Sequence, residues 1–204
     1  MHLIIAEKHD AAKRIAQILA KTKPQTQRVA GVDAFRFDDK VVMGLSGHIV
    51  GVDYPADYNN WQKVDCKDLI RAEIVVRPLQ EKIISALKTL GKEADQITIA
   101  TDYDREGELI GVEALKIAKE ANPKLLTDRV RYSAIVKDEI INAFRNAGKV
   151  DFDLAASGEA RQIIDLVWGA ALTRYISLTS GRLGKEFLSV GRVQSPTLAL
   201  IVDR

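Results

Sequence analysis

One cysteine, three histidines, five prolines and 6% aromatic residues leave little material in this 204-residue chain for several common architectures. A lone Cys66 rules out a disulfide framework and fits a reducing compartment. No apolar run approaches the length of a bilayer span, and Glu7 interrupts the first one far too early for a secretory signal, so we expect a soluble, cytoplasmic protein with no membrane partner. Charge of one sign is also lacking: 30 Lys and Arg oppose 28 Asp and Glu, so no polybasic coat announces nucleic acid and none excludes it. What is present is apolar: residues of that class make up 47% of the chain, enough for a sizeable core.

The pattern is that of an α/β protein. His2 to Ala6 reads as a buried strand that meets Glu7, and Asp10 then opens a helical spacing through Ile15, Ile18 and Leu19. Between residues 23 and 77 the short extended pieces Phe35 to Phe37 and Val41 to Met43 are broken by Gly44, Gly47, Gly51 and Pro55, which predicts an irregular insertion. Pro78 opens a helix through Leu79, Ile83, Ile84 and Leu87, with Gly91 as its stop. A strand from Gln96 to Thr101 runs into Asp102-Tyr103-Asp104-Arg105-Glu106-Gly107-Glu108, and a helix follows as far as Asn122-Pro123. A short strand from Arg129 to Ser133 and a helix from Lys137 to Asn146 complete an alternation that implies a mainly parallel, Rossmann-like sheet flanked by helices. After Gly148 the pattern is helical from Phe152 to Leu178, and the last helix, from Val193 to Val202, is still running near Arg204. These features predict a first domain over residues 1–150 and the start of a helical, truncated second domain over 151–204.

Asp102, Asp104 and Glu106 alternate immediately after an apolar strand, so in an extended loop their carboxylates could share a side. Ligands sit at the carboxyl ends of strands in such sheets, and crowded carboxylates favour a hard divalent cation such as Mg²⁺. The plain alternative is that they cap and complement the following helix. Glu7 also ends a strand and precedes a helix, so it can project into the same crevice, with Lys8 beside it either neutralising a phosphate or simply solvated.

These two strand ends resemble the TOPRIM domain shared by topoisomerases and primases. Ser46-Gly47-His48-Ile49, Arg161-Gln162-Ile163-Ile164-Asp165 and Gly191-Arg192-Val193-Gln194-Ser195 are similar to motifs of type IA DNA topoisomerases, in the same order and over essentially the whole chain. His9-Asp10 departs from the family, in which a proline and a small residue are common. The resemblance implies an enzyme that cuts one DNA strand with a tyrosine, holds the 5′ phosphate covalently, passes a strand and reseals the break with Mg²⁺, relaxing negative supercoils. Carried over by motif, Glu7 would move a proton at the 3′ hydroxyl, Lys8 and Arg105 would face the phosphates, and Asp102, Asp104 and Glu106 would hold Mg²⁺, with Glu7 as a further possible ligand. Arg161, Arg192, Gln194, Ser195 and His48 would contact DNA, chiefly single-stranded. The two arginines could instead be surface ion-pair partners, Gln194 and Ser195 helix caps, His48 a structural histidine, and Trp61 and Trp168 core residues. The family nucleophile lies in a Tyr-x-Arg-Thr-Asp-like segment, and none of Tyr54, Tyr58, Tyr103, Tyr132 and Tyr175 has that context. The chain is therefore expected to be catalytically incomplete, to have the remainder of its parent polypeptide as a partner and to need no oligomer. A TOPRIM nuclease or primase, and a non-catalytic single-strand-binding module, are the competing readings.

Overall fold

The computed structural model describes residues 1–204, which divide into two compact units: residues 1–51 with 78–158, and residues 52–77 with 159–204. In the first unit the strand β1 (His2–Ala6) leads to the helix α1 (His9–Leu19), and three strands follow, β2 (Gln25–Val29), β3 (Val32–Phe37) and β4 (Lys40–Gly44). The strands β5 (Val50–Asp53) and β6 (Val75–Pro78) form a two-stranded sheet of their own. Then come α2 (Glu81–Glu93), β7 (Gln96–Ala100), α3 (Arg105–Ala121), β8 (Leu126–Arg129) and α4 (Lys137–Arg145). The long helix α5 (Phe152–Thr179) begins in the first unit and continues into the second, which ends with α6 (Gln194–Val202).

The main sheet has the order β2-β3-β4-β1-β7-β8. β4, β1, β7 and β8 run parallel, and β2 and β3 are antiparallel additions at one edge. β1 is central, and its alternation feeds two cores: Leu3 and Ile5 pack with α2 and α3 on one face, Ile4 and Ala6 with α1 and α4 on the other. Because both faces are covered, the strand reads as a continuous apolar run.

Three expectations need correction. The stretch 23–77 is not an irregular insertion, since residues 25–44 supply three strands of the main sheet and only 52–77 belong to the second unit. β2 is a polar edge strand, Gln25-Thr26-Gln27-Arg28-Val29, so it carries no apolar alternation to announce it. Its two-residue turn uses Ala30 and Gly31, both at positive φ, as a tight right-twisting hairpin requires. Pro78 ends β6 rather than opening a helix, and Gly91 lies inside α2, where a Cβ would come within 3.1 Å of the Ala118 carbonyl of α3. That glycine permits close helix packing; it is not a stop. The strand after α3 is Leu126–Arg129, earlier than the expected Arg129 to Ser133.

In the second unit, Tyr54 is buried and its hydroxyl donates to the Leu69 carbonyl. Buried Arg174 donates to the Tyr58 carbonyl and lies 5.5 Å from the Trp61 ring centroid, while Trp61 meets Phe187 edge-on. Thr173 and Ser177, one helical turn apart on α5, accept from the backbone N–H groups of Val190 and Leu188. They thereby pin the extended segment that leads to Gly191 and Arg192. Trp168 is not core: it is 51% exposed, because α5 is apolar around much of its circumference and this unit covers only part of it.

Candidate functional site

The carboxyl ends of β1 and β7 are neighbours, with Ala6 paired in register with Ala100, so the loops that follow them emerge side by side. Glu7 begins the first loop. Its side chain is 14% exposed, whereas that of Lys8 is 70% exposed, and the Lys8 Nζ lies 3.6 Å from the Glu7 carboxylate. The loop after β4 braces this segment, since the Leu45 N–H donates to the Ala6 carbonyl and the Gly47 N–H to the Glu7 carbonyl. Ser46 and Gly47 both take positive φ (62° and 88°), and this left-handed pair turns the Ser-Gly-His motif back toward Glu7. α1 starts at His9 with Lys8 in the N-cap position, and no side chain caps it.

The acidic loop is organised by its backbone. Arg129, fully buried at the end of β8, donates to the carbonyls of Ile99, Thr101, Val130 and Asp102. Its Nε donates at 2.7 Å to Glu108, also fully buried, whose other oxygen accepts from the Asp151 N–H. The Thr101 hydroxyl donates to the Gly107 carbonyl, and the Tyr132 hydroxyl to the Ala100 carbonyl. Burial raises the Tyr132 phenol far above its ordinary pKa, with the nearby Asp102 charge adding to the effect and Arg129 opposing it. These partners were missed in the sequence. Glu108 stands inside the quoted motif, but a buried arginine on a strand has no periodic signature.

The three carboxylates are placed differently from the expectation. Asp104 accepts from the Gly107 N–H at 2.7 Å and is the N-cap of α3, so the capping alternative holds for it. Glu106, in the first turn of α3, lies 3.5 Å from His48 Nε2, and His48 Nδ1 lies 3.0 Å from buried Glu113. No three of these side chains converge as a ready-made metal centre. Asp102 and Asp104 do line one open cavity of about 550 Å³. A pair of hard oxygen donors on one opening suits Mg²⁺, which keeps most of its water and takes one or two carboxylates. Arg105 is the first residue of α3 and is exposed.

His48 is better tied than a solvated histidine. Its pKa is raised, chiefly by the hydrogen bond to Glu113, against the opposing effect of burial. A raised folded-state pKa means that this contribution to stability is complete below the unfolded value near 6.5 and is lost as pH rises through the folded one. We expect His48→Gln to destabilise the chain at pH 5.5 to 6 and to approach the wild type above pH 8 in thermal unfolding. A gap that widens with pH would refute the assignment.

In the second unit Arg192 forms a two-point pair with Asp165, at 2.6 and 3.3 Å, and Arg161 lies 3.8 Å from the same carboxylate. The pair holds the Asp165 carboxyl below its usual range, the Arg192 hydrogen bond being the largest cause. The ion-pair alternative thus describes both arginines in this structure. All three side chains are about two-fifths exposed, so the pairing is weak enough for a polyanion to displace. Gln194 and Ser195 open α6, and neither caps it: Val193 is the N-cap and no side-chain bond is made there.

Comparison with known proteins places this geometry. A family model described as Toprim domain matches residues 2–135, and one described as DNA topoisomerase matches residues 149–204. The chain belongs to the Toprim family. It is 55% identical over 204 residues to DNA topoisomerase 1 of Archaeoglobus fulgidus, covering 99% of this chain and 31% of that protein. It is 33% identical over 222 residues to human DNA topoisomerase 3-alpha, covering 99% of this chain and 22% of the relative. The solved structure of full-length topoisomerase I from Thermotoga maritima superposes with a TM-score of 0.65 at 28% identity, over 99% of this chain and 30% of that one. The resemblance to type IA topoisomerases, which are isomerases of DNA, is borne out, and the Toprim chain spans about a third or less of these relatives' length. The mixed α/β fold with a mostly parallel sheet is borne out with it.

Proposed function

We propose that this chain is the proton-transfer, metal and phosphate half of a type IA DNA topoisomerase, which cuts and reseals one DNA strand through a 5′-phosphotyrosine and relaxes negative supercoils. The observation that carries this reading is the emergence of Glu7 and the Asp102–Glu108 loop from adjacent parallel strand ends, in a chain whose later segment matches a DNA topoisomerase model. When the tyrosine, already ionised to the phenolate, attacks phosphorus, the bond from phosphorus to the 3′ oxygen breaks. Glu7, enclosed yet reachable, gives that oxygen a proton and takes it back on resealing. Exposed Lys8 and Arg105 stabilise the charge on the phosphate oxygens. Asp102 and Asp104 would hold Mg²⁺, and Glu106, which lies against His48, would supply a further carboxylate. The ion, when bound, supplies positive charge to the DNA phosphates.

In the second unit Arg161 and Arg192 exchange Asp165 for the backbone of a single strand, with Gln194 and Ser195 alongside, and His48 acts through Glu106 rather than on DNA directly. The attacking phenol comes from further polypeptide. Tyr54 and Tyr132 are buried with their hydroxyls donated to carbonyls, and burial raises both of their pKa values. The test uses supercoiled plasmid and the 204-residue chain with Mg²⁺: we expect neither nicking nor relaxation, since none of its five tyrosines stands in the Tyr-x-Arg-Thr-Asp-like context of the family nucleophile. Nicking that disappears in Asp102→Ala would replace this reading with a metal-dependent TOPRIM nuclease.

A further inference from the structure

Tyr103 is the residue of the acidic loop that these roles leave unused. It sits between Asp102 and Asp104, it is 58% exposed, and it lines the same open cavity as they do. Its ring is not loose: the Arg131 guanidinium carbon lies 5.2 Å from the ring centroid, within cation–π range, and Arg131 is itself anchored by donating to the Lys149 carbonyl. A tyrosine held by a cation while more than half its surface stays open offers a fixed aromatic surface. The cavity beside it mixes Asp102, Asp104, Ser133 and Glu139 with Tyr132, Ala134 and Ile135, and its three carboxylates argue against a wholly apolar peptide as occupant. A nucleobase suits it, because a base has a face to stack and an edge that hydrogen-bonds to hydroxyls and carboxylates.

We propose that Tyr103, backed by Arg131, is a base-stacking platform for the nucleotide whose phosphate lies at the acidic loop. The inference rests on the strand-cutting reading given above. Stacking on an aromatic side chain is indifferent to base identity, so Tyr103 positions the strand without selecting its sequence. The carboxylates around it repel bare phosphate, and the contact is made in the presence of Mg²⁺.

The experiment is fluorescence anisotropy with the 204-residue chain, Mg²⁺ and two labelled oligomers of equal length, oligodeoxythymidylate and a fully abasic strand. The wild type should prefer the thymidylate by about tenfold. Tyr103→Phe should keep that preference, and Tyr103→Ser should lose most of it through weaker thymidylate binding, with abasic affinity and thermal unfolding unchanged. Thymidylate binding by Tyr103→Ser equal to that of the wild type overturns the platform and leaves the DNA-binding reading standing. Loss of the preference in Tyr103→Phe also overturns it, by assigning the effect to the hydroxyl. Failure of the wild type to bind either oligomer sinks both the platform and the reading beneath it.

Discussion

Glu108→Gln should be among the most damaging single substitutions in this chain. Glu108 and Arg129 form an ion pair with both side chains fully buried, and Glu108 also accepts the Asp151 N–H with its second oxygen. Glutamine keeps the shape but replaces one acceptor by a donor, so either Arg129 Nε or the Asp151 N–H faces another N–H, and the guanidinium loses its counter-charge. Removing one partner of a buried pair costs about 3–5 kcal/mol, a large share of the roughly 5–15 kcal/mol that holds a domain folded. For a chain of this size the melting temperature should fall by roughly 6–20 °C. Glu108→Gln with Arg129→Met should cost less than the sum of the two single changes, because no uncompensated charge remains. It should still fall short of the wild type, because the carbonyls of Thr101 and Asp102 lose the donor that fixes the acidic loop. A melting temperature for Glu108→Gln within about 2 °C of the wild type would show that the pair is not what holds this region.

Gly44→Ala should be the second severe change, for a steric reason. A Cβ at this position would lie 2.7 Å from backbone atoms of both Lys8 and His9, and backbone cannot swing aside as a flexible side chain does. β4 and the loop after β1 must move apart, which shifts Glu7 and Lys8 together with the start of α1. Overpacking of this kind costs about 1–3 kcal/mol, and contact with backbone puts it at the upper end. Gly51→Ala is the matched comparison, since the three atoms nearest its new Cβ all belong to the flexible Leu79 side chain, the first at 3.0 Å. We expect Gly44→Ala to lower the melting temperature well below that of Gly51→Ala and to move the amide resonances of Ala6 to Asp10. Equal effects of the two substitutions would argue against the close crossing.

The stacking role of Tyr103 and the damage expected from Glu108→Gln meet at one structural element, the Thr101–Gly107 loop. Its carbonyls are held from below by Arg129 and its first helical turn by Asp104, so the side chains of Asp102, Tyr103 and Glu106 are left to face outward. Rigid backbone under exposed functional groups is what a site needs if substrate is to meet it in one geometry.

Much of this arrangement is legible in the residues. The apolar run of β1 ending at Glu7, the Ile97 to Ala100 run ending at Asp102, and the helical spacings of α1, α3 and α4 follow from periodicity and burial, and they place the two chemical loops at strand ends. The motif order already carried the resemblance to type IA topoisomerases. Tertiary structure decided the rest, because it depends on groups distant in sequence. β2 joined the sheet by pairing with β3, although its own residues are mostly polar. Gly91 became a helix-packing contact because Ala118 approaches it, and local sequence cannot report a partner 27 positions away. Glu106 turned to His48, Arg192 to Asp165, and Arg129 to the carbonyls beneath the acidic loop. Spacing along a chain fixes which side chains a strand or helix can present, whereas the partner each one finds is set by what the fold brings within about 3 Å of it.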